Sequence, residues 1–103
     1  MYEYAANMVR VIDADTVVLD VDLGYHIWLR GVRFRLARIN APELSTKSGQ
    51  DAKAWLAAQS FAGLRVKSTK QDDYGRWLGE LTVGDVNLND LAVTTGHAVY
   101  VKY

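Results

Sequence analysis

Apolar and polar positions alternate through much of the first forty residues. Met8-Val-Arg-Val-Ile12 is rich in β-formers, and Thr16-Val-Val-Leu-Asp-Val-Asp22 carries β-branched residues with apolar/polar alternation toward its end. Leu23-Gly-Tyr25 signals a turn. His26-Ile-Trp-Leu-Arg30 and Val32-Arg-Phe-Arg-Leu36 then alternate again around Gly31, which suits a bulge. Strands are therefore predicted across residues 8–38. Ile39-Asn-Ala-Pro-Glu43 holds the single proline of the chain and is predicted as loop. The period changes at Ser48: Ala52, Trp55 and Leu56 fall at helical spacing, and Gly63 is placed to end the helix. Leu64-Arg-Val-Lys-Ser68 returns to period two, Asp72-Asp-Tyr-Gly75 is a turn, and Trp77 to Val83 is another strand. Asn87 caps a short helix running to about Thr95, with Asp90 at the reciprocal capping-box position and Gly96 as its stop. The tail from His97 to Tyr103 fits neither pattern. A strand meander, a helix, a strand pair and a second helix predict a five-stranded OB-fold barrel carrying two helices, rather than a sandwich.

Composition narrows the function. The chain has 103 residues, enough for one domain spanning 1–103, and half of them are hydrophobic. No apolar run approaches the roughly 20 residues needed to span a bilayer, so no membrane association is expected. Residues Met1 to Arg10 lack the basic start and apolar stretch of a secretory signal. A natural start at Met1 predicts a cytoplasmic protein; a start added to a processed chain leaves secretion open. With no cysteine, disulfides and thiolate metal sites are excluded. Twelve basic residues balance twelve acidic ones, which argues against a passive nucleic-acid coat held by bulk charge and leaves room for a local basic site.

Three segments place charge where folding alone does not want it. In Val11-Ile-Asp-Ala-Asp-Thr-Val17, Asp13 and Asp15 lie two apart on one side of a predicted strand, where carboxylates repel. Asp13 reads as a polar turn residue; Asp15, at the mouth of the next strand, suits a hard cation. In Arg33-Phe-Arg-Leu-Ala-Arg-Ile-Asn-Ala-Pro-Glu43, Phe34 and Leu36 point one way and Arg33 and Arg35 the other. Arg35 could clamp a phosphodiester, because a guanidinium grips phosphate oxygens in pairs and never deprotonates. Asn40, the Ala41 carbonyl and Glu43 offer oxygens in one short loop, the ligand type that hard divalent cations take. A basic strand face followed by a proline turn explains the same residues without function. In Asp72-Asp-Tyr-Gly-Arg76 the turn needs Gly75 but not the arginine; Arg76 could contact a second phosphate and Tyr74 a base or sugar, or the arginine is simply solvated.

Taken in order, I-D-x-D-T, R-L-x-R-I-N-A-P-E and D-Y-G-R closely resemble the staphylococcal nuclease (thermonuclease) family. Val21-Asp-Leu-Gly-Tyr25 looks like a bacterial and phage branch with a longer hairpin, and Gly75 to Glu80, Val86 to Leu91 and Gly96-His-Ala98 continue the likeness from Met8 to about Tyr100. The resemblance implies an OB barrel that uses Ca2+ and cleaves the 5′ P–O bond of DNA or RNA to leave a 3′-phosphate. It places metal ligands on Asp15, Asn40 and the Ala41 carbonyl, and the water-orienting carboxylate on Glu43. The phosphate clamp falls on Arg35 and Arg76, and a nucleotide contact on Tyr74. The expected partners are single-stranded or locally melted DNA and RNA.

This chain departs from the family at several positions. Asn40 stands where the family often has aspartate, which predicts weaker calcium binding, and Ala41 replaces a common threonine whose ligand is backbone. Asp73 replaces a frequent basic residue, and the third helix of longer members is missing. His26 and His97 read as structural, and Trp28, Trp55 and Trp77 as core or barrel-surface aromatics. The alternative function is a non-catalytic OB-fold module that grips single strands through Arg33, Arg35 and Arg38; a barrel serving only protein contacts has no positive signal.

Overall fold

The computed structural model describes residues 2–71 and 76–101, with backbone alone for 69–71. Five strands close the barrel: β1 (Tyr2–Asp13), β2 (Thr16–Asp22), β3 (Trp28–Leu36), β5 (Leu64–Gln71) and β6 (Trp77–Val83). The order is β3-β2-β1-β5-β6, and parallel pairing of β3 with β6, from Phe34↔Trp77 to Leu36↔Gly79, joins the ends. Closure removes the free edges that an open sheet of this length would expose. Two-residue strands add to this frame: β4 (Ile39–Asn40) pairs with β8 (Val99–Tyr100), and β7 (Val86–Asn87) extends β6. Two helices complete it, α1 (Lys47–Ala57) and α2 (Leu88–Thr94). No helix among the described residues is long and apolar enough to cross a membrane.

The interior follows the period-two pattern. Val17, Leu19 and Val21 of β2 meet Phe34 and Leu36 of β3, Leu64 and Val66 of β5 and Leu81 of β6, with Leu56 of α1 and Ala92 of α2 plugging the ends. Each fully buried side chain of this size stabilises the fold by about 1.5–3 kcal/mol. Gly31, at φ +65°, lies in the bulge between the Leu19↔Val32 and Val21↔Leu29 pairs, and its N–H and the Arg30 guanidinium both donate to Asp20. That arrangement fixes the bend predicted for Gly31.

Several expectations need correction. β1 begins at Tyr2, not Met8, because Tyr2–Ala5 pairs with Arg65–Ser68. β3 begins at Trp28, since Tyr25 and His26 take positive φ in the hairpin turn. Ile39 and Asn40 form a strand instead of loop, held by Tyr100 and Val99 of the tail. Asp13 ends β1, while Ala14 and Asp15 form the tight turn to β2, so the two carboxylates do not share a strand face. Asn87 does cap α2 by accepting the Asp90 N–H at 3.1 Å, but the Asp90 carboxylate does not return the bond. It engages Arg38 at 2.9 Å and accepts from the Tyr100 hydroxyl at 2.9 Å.

Candidate active site

The β1–β2 turn folds over the end of β3. The Leu36 N–H donates to the Asp15 carbonyl at 2.8 Å, which places the Asp15 side chain beside Arg35. Asp15 is only 8% exposed. Its Oδ2 accepts the Ala41 N–H at 2.8 Å and lies 3.4 Å from Arg35 Nη1; its Oδ1 accepts the Thr16 hydroxyl at 3.2 Å. Arg35 divides its donors. Nη1 reaches the carbonyls of Asp15 (3.3 Å) and Leu36 (3.1 Å), while Nη2 donates to Asn40 Oδ1 at 3.0 Å. Four of the predicted residues thus meet through direct bonds: Asp15, Arg35, Asn40 and Ala41.

Burial is the main reason that the Asp15 carboxyl is pushed up to about 6, and the neighbouring Asp13 side chain adds to it, against the Ala41 N–H and the Arg35 charge. For Asp13 burial also works upward, but hydrogen bonds from the Asp15 side chain and backbone and from Thr16, with the Arg35 charge, outweigh it and hold the group below the usual range. Of the two carboxyls, Asp15 is therefore the one that takes up a proton first as pH falls.

Glu43 lies two residues beyond Ala41, and its carboxylate is exposed with no hydrogen-bond or ion-pair partner among the described residues. Its backbone is fixed, since the carbonyl accepts both the N–H (3.0 Å) and the hydroxyl (2.7 Å) of Thr46, the N-cap of α1. Arg76 immediately precedes Trp77, whose partner on β3 is Phe34, so it stands at the start of the strand seam that carries Arg35. No direct contact joins Glu43 to the Asp15–Arg35 pair; the loop brings it to the same end of β3. Tyr74 and Asp73 lie outside the described residues.

A hollow of about 210 Å³ opens next to the pair, lined by Asn40, Ala41, Pro42, Gly96, Ala98 and Val99. At about 30 Å³ per water it has space for several waters or a phosphate group. A larger hollow of about 300 Å³ sits at the start of β3 among Tyr2, Tyr4, Leu29, Phe34 and Trp77. Neither lining holds a carboxylate or guanidinium; the smaller hollow is the one that borders Asn40 and Ala41, which bond to Arg35 and Asp15.

Arg38 is a correction to the binding surface expected from sequence. At φ +70° its side chain turns to Glu80 and Asp90 and lies 5.8 Å from the Tyr100 ring, so it ties β6, α2 and β8 together. Glu80 is held below its usual range because Arg38 and Asn87 hydrogen bonds overcome the upward push of burial. Asn89, which sequence reasoning treated as one letter of a motif, is fully buried. It accepts the Leu81 N–H (3.1 Å) and donates to the carbonyls of Ala37 (2.9 Å) and Gly79 (3.1 Å), pinning the chain just past Arg35. An asparagine directly after Leu88, in the first turn of a short helix, was its only signal. His97 stacks on Trp55 at 4.8 Å and shares a 2.8 Å bond with the Thr95 hydroxyl, and Trp77 is half-exposed at the rim of the larger hollow.

The fold is a closed OB-type barrel with an acid–arginine pair at one end of a strand. The chain belongs to the staphylococcal nuclease homologue family, whose model matches residues 33–103. Membership gives it a nuclease or nucleic-acid-binding role. None of the curated proteins matches the chain. The matched segment begins inside β3, ahead of which lies Asp15; its bond to the Ala41 N–H and its ion pair with Arg35 join it to residues within the match.

Proposed function

We propose that this chain is a calcium-dependent nuclease that hydrolyses the 5′ P–O bond of DNA or RNA and leaves 3′-phosphates. The observation that carries the reading is the buried Asp15 carboxyl, bonded to the Ala41 N–H and paired with Arg35 beside Asn40. Asp15, Asn40 Oδ1 and the Ala41 carbonyl would hold a hard divalent ion through oxygen alone, once Asn40 is released from Arg35. The described residues hold no cluster of three or more His, Cys, Asp or Glu, so the set depends on the amide and the carbonyl for its remaining ligands. Calcium bound there would supply charge to offset the growing negative charge on the phosphate.

The chain's own residues do the rest. Arg35 exchanges its bond to Asn40 for the non-bridging oxygens of the phosphate, and Arg76 takes a second contact. Glu43, its carboxylate unpaired and its backbone anchored, orients the attacking water and accepts its proton. Phosphoryl transfer needs positioning and charge stabilisation more than covalent help, and these groups offer both. Removing any one of them costs on the order of 10²–10³ in rate.

A binding module without turnover is the second reading, favoured by the neutral Asn40 already held by Arg35. One experiment separates the two: incubate the protein with single-stranded DNA in calcium or in chelator, and repeat with Glu43→Gln and Arg35→Ala. Calcium-dependent cutting lost in both variants supports the nuclease. Binding without cutting in every divalent ion supports the module, and cutting that survives both substitutions refutes the assignment of these residues.

A further inference from the structure

The outer barrel wall carries two arginines that this mechanism leaves unused. Arg10 of β1 and Arg33 of β3 both pair with Val18 of β2, from opposite sides. Register partners in antiparallel strands project from the same face. The adjacent rung, Val11, Val17 and Phe34, packs on the interior, so Arg10, Val18 and Arg33 face outward. Val18 is nevertheless only 7% exposed, as expected where long basic side chains lay their stems over a small apolar one.

Both arginines are exposed, and neither has an ion-pair, hydrogen-bond or ring partner among the described residues. This sets them apart from Arg30, Arg38 and Arg65, each committed to an acid. Asp20, the next outward residue along β2, is engaged by Arg30 and the Gly31 N–H. Arg35 follows Arg33 on the same face, about 7 Å along the strand, and Arg10 lies two strand spacings away, about 10 Å. These are steps that successive phosphates of one flexible strand can match.

We propose that Arg10 and Arg33 continue the phosphate site of Arg35 into a backbone track, so that the partner is a single strand several nucleotides long laid across β3, β2 and β1. The proposal rests on the phosphodiester reading of the cleft. A protein with no net charge draws a polyanion only where its cations are segregated from its acids, and this rung is such a place. Guanidinium groups suit the task because they bind phosphate through two parallel bonds at any base sequence.

The test is binding of a labelled single strand of about ten nucleotides, within the span of an OB fold, in chelator over a series of salt concentrations. Arg10→Ala and Arg33→Ala should each reduce the slope of log K against log salt by about 0.7, and the double variant by about 1.4. The double variant should also lose the affinity gained on lengthening the ligand from two nucleotides to ten, and Arg10→Lys/Arg33→Lys should restore the slope. An unchanged slope in the double variant, with binding still lost in Arg35→Ala, overturns the track and leaves the cleft standing. A reduced slope in a protein that never cuts in calcium upholds the track and removes the nuclease reading. A wild-type protein with no salt-dependent binding overturns the track outright.

Discussion

Replacing Gly49 with alanine sets two effects of opposite sign against each other. Gly49 lies inside α1, where alanine is the better helix former by about 1 kcal/mol, so propensity alone predicts stabilisation. The packing predicts the reverse. A Cβ at Gly49 would lie 2.0 Å from the Glu43 carbonyl oxygen, 2.5 Å from the Glu43 carbonyl carbon and 2.8 Å from the Pro42 oxygen. All three atoms are backbone, so the helix and the loop must part by about 1 Å or more. Overpacking of this kind costs about 1–3 kcal/mol. The same movement strains the Thr46 cap, which accepts the Gly49 N–H at 3.0 Å and donates to Glu43, at a further cost of about 1 kcal/mol. The net expectation is a loss of about 1–3 kcal/mol in urea denaturation. Because the displaced segment carries Glu43, single-turnover cleavage should fall by about 10². A Gly49→Ala protein that is as stable as the parent and cuts as fast would show that the contact between α1 and the 42–43 backbone does not position Glu43.

Asn89→Leu should destabilise by about 3–5 kcal/mol in the same denaturation assay, because it leaves the Leu81 N–H and the Ala37 and Gly79 carbonyls buried without their partner. Asn40→Asp should raise calcium affinity about tenfold by calorimetry, since it restores a charged ligand and keeps an acceptor for Arg35; equal or weaker binding would count against Asn40 as a ligand. For pH, the Asp15 carboxyl sits at about 6 when folded against 3.8 in the free chain, so its contribution to stability is complete below about pH 4 and is lost as pH rises through 6. Calcium affinity should run the other way, falling about tenfold per pH unit below 6 as the proton competes for Asp15, and a flat titration from pH 5 to 7 would remove Asp15 from the ligand set. Glu80 has the opposite sign to Asp15: its share of stability is present above 4.5 and lost on acidification, and Arg38→Met should flatten that part of the pH–stability curve.

Local chemistry made β2, β6, the Asn87 cap and the inward set Phe34 and Leu36 legible, because each depends on neighbours within a few residues. Gly31 was readable for the same reason. The start of β1 was not, although Tyr2, Tyr4 and Ala6 do alternate: that segment becomes a strand through its pairing with Arg65–Ser68, some sixty residues away. The two-residue β4–β8 pairing has too little chain to carry a period at all. In the cleft, Arg35, Asn40 and Ala41 were signalled by a compact run of unusual residues. Asn89 and Arg38 were not, because their roles come from partners on other elements, and the same side chains on an exposed surface would leave the same letters. Gly49 carries no local signal beyond being a poor helix former. The approach of the Pro42–Glu43 backbone, which no local pattern encodes, explains why nothing larger fits there.

The ion pair between Asp15 and Arg35 is hard to justify as a device for stability. Their side chains are 11% and 12% exposed, and a pair buried to that degree commonly contributes no more than apolar residues of the same volume. Here the geometry is also incomplete: the side chains meet at 3.4 Å through one nitrogen, and that nitrogen also serves two carbonyls. The other terminal nitrogen goes to a neutral amide. An arginine placed only to neutralise Asp15 would meet it with both nitrogens and hold its carboxyl low, whereas burial wins and the carboxyl rises to about 6. A partly paired buried acid and arginine, next to an open hollow, an amide oxygen and an unpaired glutamate, have a cost in the folded protein that their contacts do not repay. That imbalance, more than any single residue, supports the view that the cleft is built for a ligand.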